Sequence, residues 1–350
     1  MFRAMIHFRF PFAPTILKSS FISIALILSS VFLSAISASA QDPDEVLKVN
    51  TSLVQLNVGV VDRQGRPITN LSRGDFTVYE DNVLQPITEF EPTTAPFSLV
   101  LLLDMSGSTQ SFRPTLKQSA YRFLDALSPN DRVAVVAFNE KAKMLANFTT
   151  DLRKVARAIE TADGKGETHF YQALEFALEA LSKEGQRRKA IVVLTDGIDT
   201  QMKKMDRDSA ANAHTNEEAI ASVKPDASVP LNAVLRAADR QGVTIYPLAL
   251  PSGDPKRLPF LIPTQTAIYS AARVRMQTLA DRTGGRLNDI QRLEDLGRIY
   301  AEVAAELRTL YTVVYRPINT GIPAGRLRSI RVEVARPELI ARTRSGYYGR

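Results

Sequence analysis

Residues 99–111 read LVLLLDMSGSTQS: five apolar residues in succession, one acid, then hydroxyls set around a glycine. An unbroken apolar run is the pattern of a central parallel strand covered on both faces. An acid at its carboxyl end, Asp104, falls in the crevice where open α/β sheets bind their ligands. A plainer reading is equally open on these residues alone, in which Asp104, Ser106 and Ser108 start a turn and cap the next helix.

Working outward, strands and helices alternate over residues 97–308. Leu116, Ala120, Phe123, Leu124 and Leu127 share one helix face, RVAVVAFN follows as a strand, and KAKMLANF is expected as an antiparallel edge. Thr150-Asp151 caps a helix with Leu152, Val155 and Ile159, a further helix carries Ala173, Leu174, Ala177, Leu178 and Leu181, and AIVVLTDG is another buried strand. Helices from about Leu231, around Met276 to Arg282 and from about Leu293, with the strand VTIYPLAL and a short GRLNDI, complete the series. The alternation predicts an α/β fold with a doubly wound, mostly parallel sheet of Rossmann-like type.

On either side the pattern is β. LVQLNVGVVD alternates, FTVYEDNVLQPITEF reads as two strands joined at Asp81-Asn82, and LYTVVYRP, LRSIRVEVAR and ELIARTRSGYY follow the last helix. The ends of an α/β domain can lie close together, so residues 46–96 and 309–350 are expected to pack as one flanking β-sandwich. Arg326, Arg328, Arg331, Arg336, Arg342, Arg344 and Arg350 alternate with apolar residues there and read as a solvated strand face.

The chain has 350 residues, a net charge of +7, no Cys and no Trp. Residues 1–40 read as an export signal: Arg3, Arg9 and Lys18 precede an apolar core, and Ala38-Ser39-Ala40 is a small-x-small cleavage site. An uncleaved anchor is the alternative, although the apolar stretch is short for a span of about 20 residues. The leader holds three basic residues and no acid, so its removal leaves +4, too mild a charge to argue for nucleic acid. Without Cys there is no disulfide, which suits a periplasmic or secreted bacterial location better than an animal extracellular one.

Most catalytic signatures fail. There is no G-x-S-x-G elbow and no phosphate-binding G-x-x-x-x-G-K-[ST] loop. His169 and His214 lack an H-E-x-x-H context and read as surface or packing residues. What survives is an oxygen constellation: Asp104, Ser106 and Ser108 after one strand, Thr168 before a helix, and Asp196 after another strand. In a doubly wound sheet those two strands are neighbours at the switch point, so the two acids face one crevice. Hydroxyl and carboxylate oxygens without His or Cys suit a hard cation, Mg²⁺ first, with Mn²⁺ or Ca²⁺ as alternatives. These residues are expected on a solvated rim rather than in the core.

D-M-S-G-S, the later Thr168 and T-D-G, in this order on this strand pattern, resemble the von Willebrand factor type A family, in a secreted bacterial subgroup with flanking β segments. The resemblance implies a metal-ion-dependent adhesion site at Asp104, Ser106, Ser108, Thr168 and Asp196, with no catalytic residues. Met105, where a smaller residue is commoner, and Glu167, which replaces a frequent Gly, depart from the pattern without removing a metal oxygen. The implied function is an exported, metal-dependent protein-binding module whose cation is completed by an Asp or Glu of a protein partner. An envelope-assembly scaffold with a structural metal and a metal-assisted hydrolase are the alternatives. Loops 199–230 and 251–270 are long and lack an obvious pattern, and the second offers Leu258, Phe260, Leu261 and Ile262 as a partner surface.

Overall fold

A computed structural model describes residues 53–93, 96–125, 127–185, 187–253, 261–318 and 325–349. The export signal of residues 1–40 lies outside the described residues, as do Leu258 and Phe260. Among the described residues no helix is long and apolar enough to cross a membrane.

The chain enters through β1 (Val54–Val61), whose residues alternate between buried and half-buried. β2 (Phe76–Glu80) and β3 (Val83–Gln85) form a hairpin through Asp81 and Asn82, both at positive φ (49° and 64°), the backbone a tight two-residue turn requires. Pro86 then ends β3, and β4 (Ile87–Glu91) joins a different sheet, so FTVYEDNVLQPITEF holds three strands rather than the expected two. Proline cannot donate to a ladder, which makes it a natural point of departure between sheets.

The α/β part opens with β5 (Phe97–Asp104), buried along its whole length. It continues through a 3-10 turn (Gly107–Phe112), α1 (Arg113–Asp125), β6 (Arg132–Phe138) and β7 (Ala142–Thr149). Next come α2 (Leu152–Thr161), α3 (Phe170–Ser182) and β8 (Arg188–Thr195). α4 (Thr200–Ser209), α5 (Asn216–Ser222) and α6 (Val229–Gln241) precede β9 (Val243–Ala249). α7 (Pro263–Thr283), β10 (Asn288–Asp289) and α8 (Leu296–Arg308) close this part. The sheet order is β10-β9-β8-β5-β6-β7, parallel except for the antiparallel edge β7.

Period-2 alternation in β5 sorts its side chains onto two cores. Leu99, Leu101 and Leu103 pack with Leu116, Phe123, Val155 and Tyr300 on one face, whereas Val100 and Leu102 pack with Leu174, Leu178, Leu235 and Met276 on the other. Helices on both faces of a parallel sheet are the doubly wound arrangement.

The chain then returns to β structure with β11 (Leu310–Tyr315), β12 (Leu327–Val334), β13 (Ile340–Arg342) and β14 (Gly346–Tyr348). These strands interleave with the first four in two antiparallel sheets, β13-β1-β11-β4 and β14-β12-β2-β3. Leu56 and Val58 of β1, Val78 of β2, Tyr311 and Tyr315 of β11 and Ile330 of β12 share one apolar core, which makes the pair a sandwich. The sandwich meets the α/β part at the amino ends of the parallel strands. There the Asn57 amide donates to the Gly242 carbonyl at 3.1 Å, and Arg188 at the start of β8 donates to the carbonyls of Thr93 (2.9 Å) and Leu307 (3.0 Å).

Three expectations need correction. Residues 199–230 hold two helices, a 3-10 turn and the start of a third helix, because Asp199, Thr215 and Ser228 each cap a helix, Thr215 through a capping box with Glu218. α7 begins at Pro263, well inside the supposed loop 251–270; its buried face mixes small alanines (Ala267, Ala271, Ala272, Ala280) and Arg275 with only three large apolar residues, which leaves little hydrophobic periodicity to read. The C-terminal arginines are not all solvated. Arg326, Arg331, Arg336 and Arg342 are exposed, but Arg328 and Arg344 are buried, paired with Glu80 at 2.6 Å and Asp239 at 3.2 Å. A lone alternating pattern cannot reveal a buried acid on a distant strand.

Candidate functional site

The parallel pairing of β5 with β8 places Asp104 and Asp196 side by side at the carboxyl edge of the sheet. Each acid starts a tight turn. The Ser106 N–H donates to Asp104 Oδ1 at 3.0 Å, and the Ile198 N–H donates to Asp196 Oδ1 at 3.0 Å. The Thr195 hydroxyl donates to Asp104 Oδ2 at 2.6 Å and accepts from the Gly197 N–H at 3.0 Å, so one buried hydroxyl links the two turns. Gly197 has φ +80°, a backbone conformation that residues with a Cβ rarely adopt, and lies against the end of the Met276 side chain of α7.

The serines complete the cluster. Their hydroxyls lie 3.2 Å apart, and each hydroxyl favours the charged form of one acid, Ser106 that of Asp104 and Ser108 that of Asp196. Thr168 arrives by backbone pairing: Thr200 N–H donates to its carbonyl at 2.9 Å, and its own N–H donates to Thr200 Oγ1 at 3.0 Å. The preceding loop touches the serine loop where the Gly107 N–H donates to the Gly166 carbonyl at 3.1 Å. The fold thus gathers Asp104, Ser106 and Ser108 in one loop, sets Asp196 beside them through the pairing of β5 with β8, and brings Thr168 alongside through its main chain.

Only Ser108 lies on an open rim; Asp104, Ser106, Thr168 and Asp196 are buried, contrary to the solvated placement expected. The segment before α3 is tied to the serine loop at Gly166 and to the start of α4 at Thr200, contacts between distant parts of the chain that residue pattern does not report. Burial and the adjacent Asp196 charge push the Asp104 carboxyl up to about 7. Burial also raises Asp196, opposed by the Ile198 N–H, the Ser108 hydroxyl and the Lys203 charge. Neither acid forms an ion pair among the described residues, nor does any group of three or more His, Asp or Glu side chains gather there to hold a metal. Two buried acids that form no ion pair among the described residues are held out of their ordinary charged form and are surrounded by hard oxygen donors. That donor set fits a hard divalent cation.

Met105 points into the apolar core, and Glu167 is exposed with its carboxylate 3.7 Å from His169 Nε2. His169 is half-buried at the start of α3 and His214 is exposed. The sequence reading missed Asp199, whose carboxylate accepts from the N–H groups of Gln201 (3.0 Å), Met202 (3.1 Å) and Phe170 (2.8 Å), capping α4 while reaching the start of α3. D-T-x-x before a helix was a usable cap signal for α4, but the bond to Phe170 is tertiary. Arg113 was also missed, and nothing in its immediate sequence marks it.

A family model described as von Willebrand factor type A domain matches residues 99–198. The human voltage-dependent calcium channel subunit alpha-2/delta-2 is 32% identical over 116 residues, which are 30% of this chain and 10% of that protein. An uncharacterized protein of Synechocystis is 33% identical over 108 residues, 29% of this chain and 25% of that protein. The chain therefore spans a small part of these relatives. Among solved structures, a von Willebrand factor type A protein from Catenulispora acidiphila aligns at TM-score 0.44 and 17% identity, covering 74% of this chain and 51% of that one. The matched span runs from inside β5 to just beyond Asp196, on a doubly wound sheet with the two acids at its switch point: the chain carries a von Willebrand factor type A domain.

Proposed function

We propose that the chain is an exported, divalent-cation-dependent protein-binding module of adhesion type. The observation that carries this reading is the pair of buried, neighbouring carboxylates, Asp104 and Asp196, with no ion-pair partner among the described residues. Asp104, Ser106, Ser108, Thr168 and Asp196 would hold the cation, Mg²⁺ first, with Mn²⁺ or Ca²⁺ as alternatives. When bound, such an ion supplies a coordination place that an Asp or Glu carboxylate of a protein partner can fill. Asp104 and Asp196 provide the charge that retains the ion, Thr195 orients Asp104, and exposed Ser108 marks the side open to a partner. The sandwich joins the opposite ends of the strands, which leaves this edge clear. Binding rather than catalysis is supported by the residue set, since its acids and hydroxyls are engaged with one another and His169 faces Glu167. Export rests on the leader sequence of residues 1–40.

The burial of Asp104 also favours a second reading, in which the cation only neutralises the acids and stabilises an envelope scaffold. Affinity capture from bacterial envelope extract in Mg²⁺ and in EDTA, with melting curves under both conditions, separates the two. The binding module predicts partner capture that is lost in EDTA and in Asp104→Ala, and that depends on a partner Asp or Glu. Capture equally strong in EDTA, with only the melting temperature lowered, supports the scaffold and overturns the adhesion-type mechanism.

A further inference from the structure

Arg113, the first residue of α1, keeps only 12% of its side chain exposed. Its Nη2 donates to the carbonyls of Met105 (2.8 Å), Ser106 (3.1 Å) and Gly164 (2.5 Å), and its Nη1 to Asp163 Oδ1 (2.5 Å). Met105 and Ser106 belong to the loop that carries both serines; Asp163 and Gly164 belong to the loop that leads to Thr168. A Cβ at Gly164 would sit 2.8 Å from the Met105 carbonyl, so the two loops are pressed together at this point. The planar guanidinium reaches one loop's carbonyls with Nη2 while Nη1, held in the same plane, reaches Asp163; an ammonium offers a single nitrogen and cannot hold both places at once.

We propose that Arg113 is a positioning residue that clasps these two loops and so preorganises Ser106, Ser108 and Thr168 for the cation; this rests on the cation site proposed above. The sign of the effect separates the clasp from a simple field. A positive charge near a cation site repels the ion, so removing it for charge reasons alone would tighten binding. Loss of the clasp weakens binding instead, whether the charge is kept or not.

The test uses the full mature chain as wild type, Arg113→Lys, Arg113→Met and Asp163→Asn. In EDTA, amide exchange is followed at residues 105–108 and 164–168, and Mg²⁺ is then titrated calorimetrically. Both Arg113 variants should exchange faster at the Gly107 amide while the β5 and β8 core keeps its protection. Their Mg²⁺ Kd should weaken by about tenfold or more, the usual scale for groups that orient metal ligands. Asp163→Asn, which keeps the three carbonyl bonds, should shift the Kd by less than about threefold, as expected for an exposed ion pair. Arg113→Lys retains charge and stem packing, so the comparison stands even if Arg113→Met does not fold. Unchanged exchange, an unchanged Kd, or tighter Mg²⁺ binding in Arg113→Met with wild-type binding in Arg113→Lys overturns the proposal. Absence of Mg²⁺ uptake by the wild type overturns the cation site itself and the role assigned to Arg113 with it, an outcome visible without any variant.

Discussion

Asp104 holds the electrostatic tension of the molecule at a single residue. Its folded carboxyl is raised from 3.8 to about 7, by burial first and by the Asp196 charge second. A raised folded value means that the stability it contributes is complete below about pH 4 and is lost as the pH climbs through about 7. In metal-free protein Asp104→Asn removes this penalty while nearly keeping the shape. Its melting temperature in EDTA should match wild type near pH 4 and exceed it by several degrees at pH 8, since about 1 kcal/mol moves a domain of this size by about 2–4 °C. Melting curves of both proteins across that range check this, and a difference that does not grow with pH contradicts it. The same substitution should abolish Mg²⁺ stabilisation, so the variant gains in EDTA and loses in Mg²⁺. Asp104, Ser106, Ser108 and Asp196 were legible as candidates because the D-x-S-x-S spacing and the T-D-G strand end are local, and Thr168 as a hydroxyl just before a helix that the family resemblance singles out. Their burial was not, because it goes with contacts between distant segments, Gly107 to Gly166 and Thr168 to Thr200.

At the scale of elements, the ends of α3 and α4 carry the site, and Asp199 serves both. Asp199→Ala should cost about 1–2 kcal/mol in urea unfolding, the upper range for a lost helix cap. It should also weaken Mg²⁺ binding, because Thr168 precedes α3 and Asp196 precedes α4. Unchanged stability would mean that water replaces the carboxylate at both helix starts. Elements with a clean period were readable: β5 and β8 as unbroken apolar runs, β1 as strict alternation, and β7 as an antiparallel edge. α4 and α5 were not, since their buried residues are few (Met202, Asp206 and Ala219) and polar residues surround them. What holds α4 is tertiary, a bidentate buried pair between Asp206 and Arg275 of α7 at 2.6 Å, which no local pattern announces.

At the scale of the whole molecule, the β segments on either side of the α/β part are joined through Glu80 of β2. This fully buried acid accepts from Arg328 of β12 (2.6 Å), Tyr315 of β11 (2.6 Å) and Tyr347 of β14 (2.9 Å). Glu80→Ala should destabilise by about 3–5 kcal/mol, the scale for leaving a buried charge unpaired. The double variant Glu80→Gln/Arg328→Met should lose less than the sum of its single changes, as measured by denaturant unfolding. Removing residues 310–350 takes away β11 to β14, and with them half of both sandwich sheets. Limited proteolysis should then cut residues 53–93 readily, whereas continued resistance there would mean that the N-terminal strands fold without their partners. The proposed divalent cation between Asp104 and Asp196 is tested most directly by calorimetric titration of Mg²⁺ into the EDTA-treated, dialysed chain and its Asp104→Ala variant. Saturable uptake at one site is expected in wild type, reduced or lost in the variant; no uptake at millimolar Mg²⁺ or Mn²⁺, or equal uptake by the variant, would contradict the cation site and leave these acids and serines as turn and cap residues.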